Sequence, residues 1–313
     1  MSDGAVETFD LLGVGHPSVD LMFSGLETWP ELGRDIDAEG LGVSAGTSFN
    51  TPAAANRLGL RVGYISIAGN DVWSRLTREE YDKESLPTDF LRLVDRPMPF
   101  VSVALNQGAD RGFVTYDAMR DEDTSELYRH ALEVVSAVDA RHLHYYAGEP
   151  PELAGAARDR GMTVSMDAWG GPWWEEPEPL EDLLPRGDVI FANESEALAM
   201  TGDADVRSAM SRMAELSGCV VIKRGADGAI AAADGDVADA PAEPAQVVDA
   251  TGAGDCFNAG FLAGWLAKLP LAECLTLGNI CGARAVESFG GYLGCPRAEE
   301  FLALARAKGI ELP

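Results

Sequence analysis

The chain has 313 residues, 46% of them hydrophobic and 8% aromatic, and a formal charge of −27. That length and apolar content suit a globular α/β protein with a sizeable buried core and argue against disorder. The charge, set by 51 acids against four lysines and twenty arginines, repels nucleic acid and anionic lipid, so neither is an expected partner. No apolar run is long enough to span a bilayer, and the opening MSDGAVETFDLLGVGH lacks a basic stretch leading into an apolar one. A cytoplasmic protein is therefore expected. Salt of about 1 M would screen the self-repulsion to within about 3 Å, which suggests a halophilic protein; the plainer alternative is an acidic soluble one. Five cysteines (Cys219, Cys256, Cys274, Cys281, Cys295) give an odd count without a C-x-x-C pair, the pattern of reduced, buried thiols.

In chain order, residues 9–23 (FDLLGVGHPSVDLMF) read as a buried strand ending in a Gly-His-Pro turn, and 24–45 as a Gly-rich flap. Residues 47–60 form a helix, with Pro52 tolerated in its first turn, and 62–69 a strand. Two alternating runs around Gln107-Gly108-Ala109-Asp110 make a hairpin over 98–118. Strands then alternate with helices: HLHYYAG, MTVSMDA, DVIFAN and CVVIKRG are strands, while 126–138, 151–160 and 194–216 are helical. Three helices close the chain at about 252–268, 271–288 and 297–308. The alternation predicts a mostly parallel central sheet with helices on both faces. The flap and hairpin (24–45 and 98–117) form a small β-lid over the strand ends, where such sheets bind ligands, all in one domain over 1–313. Acidic stretches at 117–126, 175–182 and 234–243 read as solvated loops.

Two motifs fall short of their patterns. Gly13-Val14-Gly15-His16-Pro17-Ser18, with Asp35 and Asp37 downstream, lacks the third glycine and the helix of a dinucleotide fingerprint. Gly42-Val43-Ser44-Ala45-Gly46 matches a nucleophile elbow, with His130, His142 or His144 as base, but no long strand precedes Ser44. No Gly-Lys pair exists to make a P-loop. The segment Asp249-Ala250-Thr251-Gly252-Ala253-Gly254-Asp255 is more informative. Phe257, Phe261, Leu262, Trp265, Leu266 and Leu269 follow at helical spacing, so a helix starts near Gly252. Its first N–H groups lack intrahelical partners and its dipole end is positive. Gly252 and Gly254 let a ligand oxygen approach them, making an anion hole. A capping role for Asp255 accounts for the glycines but not for Asp249 across the same turn.

This segment, followed by Phe257, Gly260 and Phe261, resembles the C-terminal signature of the ribokinase-like (PfkB-type) carbohydrate kinases. Matching motifs run in the family's order. GHPSVDL resembles its first strand, with Asp20 as the sugar-binding aspartate. SAGTSFNTPAAANRLGL and GYISIAGND resemble its substrate loop, with Gly46 and with Asn50 at the sugar-binding asparagine. FANESEA resembles its N-x-x-E motif, giving Asn193 and Glu196, and VVIKRGADGA its nucleotide loop, with Gly225 and Gly228. The chain departs from the family where Ala45-Gly46 replaces Gly-Gly and where Val72-Trp73-Ser74 follows Gly69-Asn70-Asp71.

The resemblance implies a ribokinase-like fold and ATP-dependent phosphorylation of a sugar hydroxyl, with sugar and ATP as the small-molecule partners. Asp255 would be the base, a weak one because the helix N-terminus should lower its pKa. Amides around Gly252, Ala253 and Gly254 would hold the γ-phosphoryl group. Asn193 and Glu196 would position Mg²⁺, and Lys223 and Arg224 are candidates for phosphate contact. Thr251, Asn279 and Ala283 would line the nucleotide site, and Asp249 with nearby carbonyls could hold K⁺. Asn106 and Arg111 of the lid would meet the substrate, and relatives dimerise through this lid. Arg34, Arg111 and Arg120 leave room for a nucleoside or sugar-phosphate kinase. A non-catalytic sugar or nucleotide sensor is the rival from another class.

Overall fold

The structure is a computed structural model that describes residues 8–107, 110–118, 125–168 and 178–313, with Asp110 and Arg111 as backbone alone. From the amino end, β1 (Leu11–Val14) is followed by β2 (Val19–Ser24), β3 (Gly40–Ala45) and, after a 3₁₀ turn, α1 (Asn50–Arg57). Next come β4 (Val62–Ala68), α2 (Val72–Glu84), β5 (Leu91–Leu93), β6 (Phe100–Gln107) and β7 (Asp110–Asp117). The alternating portion runs α3 (Ser125–Ala137), β8 (His142–Tyr146), α4 (Pro151–Asp159), β9 (Thr163–Asp167), α5 (Leu180–Leu183) and β10 (Val189–Asn193). It continues through α6 (Glu194–Thr201), α7 (Val206–Ala214), β11 (Cys219–Lys223), β12 (Ala229–Ala233) and β13 (Asp236–Ala240). Helices α8 (Ala253–Leu266), α9 (Leu271–Ala285) and α10 (Ala298–Ala307) close it.

Nine strands form one sheet in the order β13-β12-β11-β10-β9-β8-β1-β4-β5. It is parallel from β5 to β11 and antiparallel at β12 and β13. Alternation along the strands sorts the core onto two faces. Leu11, Phe191 and Val221 pack with Ala54, Phe257 and Phe261 of α1 and α8. Leu12, Ile190 and Val220 pack with Val135, Leu153 and Met210 of α3, α4 and α7. Strand β4 is buried along its whole length, as a parallel strand covered on both sides must be. The expected α/β architecture is therefore present. All five cysteines are free and buried.

The lid is a separate four-stranded sheet, β3-β2-β6-β7. Here the structure divides residues 9–23 between two strands, β1 ending at the Gly-His-Pro turn and β2 following it. Gly15 has φ +157° and Tyr64 donates to its carbonyl; beyond it the chain leaves the large sheet, so β1 and β2 belong to different sheets. Asp20 is thereby carried into the lid, opposite Ser44 of β3 and Ser102 of β6. Three expectations change. Helix 194–216 breaks at Gly202, whose φ of 72° ends α6. The acidic stretch 234–243 contains β13, an edge strand that tolerates carboxylates because one side faces water. Val72-Trp73-Ser74 opens α2, where Asp71 accepts the Trp73 and Ser74 amides as N-cap. The hairpin turn at 108–109, Arg120, and most of the acidic stretches at 117–126 and 175–182 lie outside the described residues.

Candidate active site

The carboxyl ends of the parallel strands converge beneath the start of α8, the ligand-binding edge of such a sheet. Gly252 is the N-cap of α8 in the left-handed region, φ 70°. A Cβ there would come within 2.4 Å of the Gly291 carbonyl oxygen, so both the dihedral and the backbone contact require glycine. Gly254 lies under Lys223, whose Nζ would be 3.2 Å from an added Cβ. Ala253 and Gly254 contribute the first-turn amides, that of Ala253 donating to the Ala250 carbonyl at 3.4 Å.

Asp255 stands in that first turn. Asn50 Nδ2, at the start of α1, donates to its Oδ2 at 3.0 Å. The Tyr146 hydroxyl donates to Oδ1 at 3.3 Å, and Thr51 Oγ1 lies 3.3 Å from both Oδ1 and the Asp255 main-chain carbonyl. Residues about 200 positions apart thus meet on one carboxylate, which explains why periodicity alone could not link them. The expected lowering of its pKa is overturned. Burial, reinforced by the charge of Asp167, raises the carboxyl to about 6 despite Lys223, Asn50 and Tyr146, which favour its ionised form. The helix N-terminus does not offset that desolvation.

Beside it lies a second cluster. Lys223 Nζ, at the end of β11, donates to Asp167 Oδ2 at 2.9 Å and to Asn258 Oδ1 at 3.2 Å. Asn258 also donates to Asp167. Burial opposes the lysine's charge, but Asp167, Glu196 and Asp255 outweigh it and hold its pKa above the usual value. Glu196 is pushed up to about 7 by burial and by Asp167. The N-x-x-E motif itself forms a capping box: Asn193 Oδ1 accepts the Glu196 amide at 2.9 Å, and Glu196 Oε2 accepts the Asn193 amide at 2.7 Å. Asp167, Asn258, Thr51 and Tyr146 were missed in the sequence. Their one signal is position, since Tyr146 and Asp167 end neighbouring strands, in register, at the edge where ligands bind.

In the lid, Asp20 is buried with Ser18 Oγ at 2.5 Å from Oδ1. An added Cβ on Gly46 would be 2.0 Å from its Oδ2. Burial raises Asp20 to about 6, and Asp249 adds to the rise. Asp249 is itself buried and joins two turns, accepting the Thr251 hydroxyl at 2.7 Å and the Gly290 amide at 3.4 Å. Asn106 lies four residues along β6 from Ser102, the residue opposite Asp20, and pairs in register with Arg111. At about 3.3 Å per residue, that is the far end of the lid.

Gly225 (φ +56°) and Gly228 (φ +80°) shape the β11–β12 turn, and a Cβ on Gly228 would meet the Ala240 carbonyl at 2.1 Å. Asn279 donates to the Ala240 and Pro241 carbonyls at 3.2 and 3.0 Å, and Ala283 lies one turn further along α9. Arg224 pairs with Asp239 at 2.9 Å, so its charge is spent on β13. Ser44 sits within a lid strand rather than at a strand-to-helix elbow, which removes the hydrolase arrangement.

The family model for pfkB family carbohydrate kinases matches residues 42–298. The chain belongs to that family. It is 29% identical over 290 residues to a fructokinase of Klebsiella pneumoniae, covering 84% of this chain and 93% of that one. To a cytidine kinase of Thermococcus kodakarensis it is 29% identical over 294 residues, covering 90% and 98%. A putative ribokinase II of Escherichia coli, solved with ATP and Mg²⁺, superposes with a TM-score of 0.80 at 21% identity, covering 96% of this chain and 99% of that one. Family membership makes the chain an ATP-dependent kinase of sugars or nucleosides. Among the described residues, no helix is long and apolar enough to cross a membrane.

Proposed function

We propose that the protein phosphorylates a sugar hydroxyl with ATP, Asp255 accepting the hydroxyl proton and the Gly252-Ala253-Gly254 amides holding the γ-phosphoryl group. The observation that carries this reading is the position of Asp255. It lies in the first turn of α8, held by Asn50 from the substrate-loop side, with the Lys223–Asp167 pair alongside. Phosphoryl transfer needs positioning and charge stabilisation more than covalent chemistry, and this arrangement supports both. A base of pKa about 6 is ionised at neutral pH and still close to the ideal range for proton transfer.

In this reading Asp20, Gly46, Asn50 and the lid residues Asn106 and Arg111 bind the sugar. Lys223, Gly225, Gly228, Thr251, Asn279 and Ala283 border the nucleotide. The donor set fits Mg²⁺: Glu196 and Asn193 offer oxygen ligands in a field of several acids. Mg²⁺ keeps part of its shell as water and phosphate oxygens. Mg²⁺ bound there would neutralise phosphate charge. Asp249 fits a K⁺ site beside the 290–291 turn, because its carboxyl is buried and no described salt bridge reaches it. The protein works in the cytoplasm as a homodimer joined through the lid, over one domain spanning 1–313. Its acidity serves a salty interior, so its melting temperature rises between dilute buffer and molar KCl.

The likeness to a cytidine kinase over 90% of the chain keeps a nucleoside acceptor as the second reading, with a sugar phosphate as its variant. An ADP-release assay over ribose, fructose, 2-keto-3-deoxygluconate, adenosine, cytidine and ribose phosphates decides among them. The expected result is ADP release that depends on a neutral sugar. Preference for cytidine, adenosine or a sugar phosphate reverses the order, and tight binding without turnover makes the protein a sensor.

A further inference from the structure

Strands β8 and β9 face each other in three successive polar rungs: His142 opposite Thr163, His144 opposite Ser165, and Tyr146 opposite Asp167. The lower two rungs are tied together. His142 bonds Thr163 Oγ1 and Ser165 Oγ, both at 2.7 Å, and Ser165 Oγ lies 2.8 Å from His144 Nδ1. Burial pushes both imidazoles down to about 3, so they are neutral hydrogen-bonding groups that pin the two strands together. The top rung leaves the core at the sheet edge, where Tyr146 reaches Asp255 and Asp167 holds Lys223.

The Tyr146 phenol is kept protonated by burial and by the charges of Asp255 and Asp167, which raise its pKa well above 10. It therefore acts as a donor toward the carboxylate. A carboxylate oxygen has two lone pairs in the carboxyl plane. Oδ1 of Asp255 accepts from Tyr146 and is flanked by Thr51 Oγ1, which lies 3.3 Å from both Oδ1 and the Asp255 main-chain carbonyl, whereas Oδ2 accepts from Asn50 Nδ2. The polar groups are unequally shared between the two oxygens.

We propose that Tyr146 is a positioning residue for the base: it occupies Oδ1, which Thr51 flanks, and turns Oδ2, beside Asn50, toward the attacking hydroxyl as the oxygen that receives its proton. The polar rungs beneath hold Tyr146 in place for that task. The proposal rests on Asp255 being the base.

The test compares Tyr146→Phe, Thr51→Val, Thr51→Ser and Asp255→Asn in the full chain, with melting temperature recorded for each. Tyr146→Phe is expected to lower kcat about tenfold, the effect of one hydrogen bond to a charged group, with KM for the sugar within about twofold. Its kcat/KM profile should move its acid limb to higher pH, because the lost bond favoured the ionised carboxylate. Thr51→Val should do the same and Thr51→Ser should restore the wild-type profile. If Tyr146→Phe fails to fold, Thr51→Val reads the same oxygen. Wild-type rates and unmoved acid limbs in both, with Asp255→Asn inactive, overturn the role of Tyr146 alone. An Asp255→Asn enzyme as fast as wild type overturns the base assignment and this proposal with it.

Discussion

The two halves of the candidate site are built on different terms. On the phosphoryl side, Asp255 is bonded by Asn50 and Tyr146, and beside it Lys223, Asp167 and Asn258 are hydrogen-bonded to one another. On the lid side, Ser44 Oγ and Asn50 Oδ1 are buried without a hydrogen-bond partner among the described residues. Buried polar atoms are normally satisfied, so in the proposed reading these two are ones a polyhydroxy ligand would complete. A transition state is best stabilised by dipoles that need not reorganise, while a substrate must supply some of the bonds that recognise it. Asn50 belongs to both halves, with its amide on Asp255 and its carbonyl oxygen unspent.

Variants on the phosphoryl side should lower kcat, and variants on the sugar side should raise KM. Asp255→Ala has the largest expected effect, a fall in kcat of about 10²–10⁴ with little change in sugar affinity. Steady-state kinetics within threefold of wild type would refute it. Gly252→Ala forces a Cβ against the Gly291 carbonyl at φ 70°. It should reduce kcat by about 10²–10³ as the anion hole is displaced and lower the melting temperature. Gly225→Ala, equally left-handed but in open space, should cost only about 1 kcal/mol of stability.

Asp20→Asn tests the sugar side by pH. Because Asp20 titrates near 6 in the fold against 3.8 when free, ionising it costs more in the folded state. That penalty is absent below about pH 4 and complete above about pH 6. The variant should therefore melt higher than wild type at pH 8 and equal to it at pH 4, while its KM for sugar rises at least tenfold. A variant that melts lower than wild type at pH 8 contradicts the desolvated carboxylate. Ser44→Ala is the mildest change. It deletes an unsatisfied hydroxyl, so stability should hold or rise slightly while KM rises by about fivefold, one neutral hydrogen bond. An unchanged KM would remove Ser44 from the sugar side.

Much of this was legible in the sequence because it is local. The β/α alternation, the glycines at 252 and 254 and the helix behind them announce themselves within a few residues. The departure of β2 into the lid did not, because Leu11–Val14 and Val19–Ser24 look alike and only the turn at Gly15 separates them in space. Asp167 and Tyr146 were hidden for a related reason. Each ends an ordinary strand, and their role arises from the register of β8 on β9 and the docking of α8 above them. The sign of the Asp255 shift was misjudged because a helix end can be read from sequence, whereas the burial and the Asp167 charge that outweigh it depend on tertiary packing.

A carbon-13 titration of the aspartate carboxyls in the free enzyme, with the Asp255 signal assigned by its loss in Asp255→Asn, tests the prepacked catalytic half most directly. The account predicts a midpoint near pH 6. A midpoint at or below 3.8, the value of an ordinary aspartate, would contradict it and restore the weak base expected from the helix N-terminus alone.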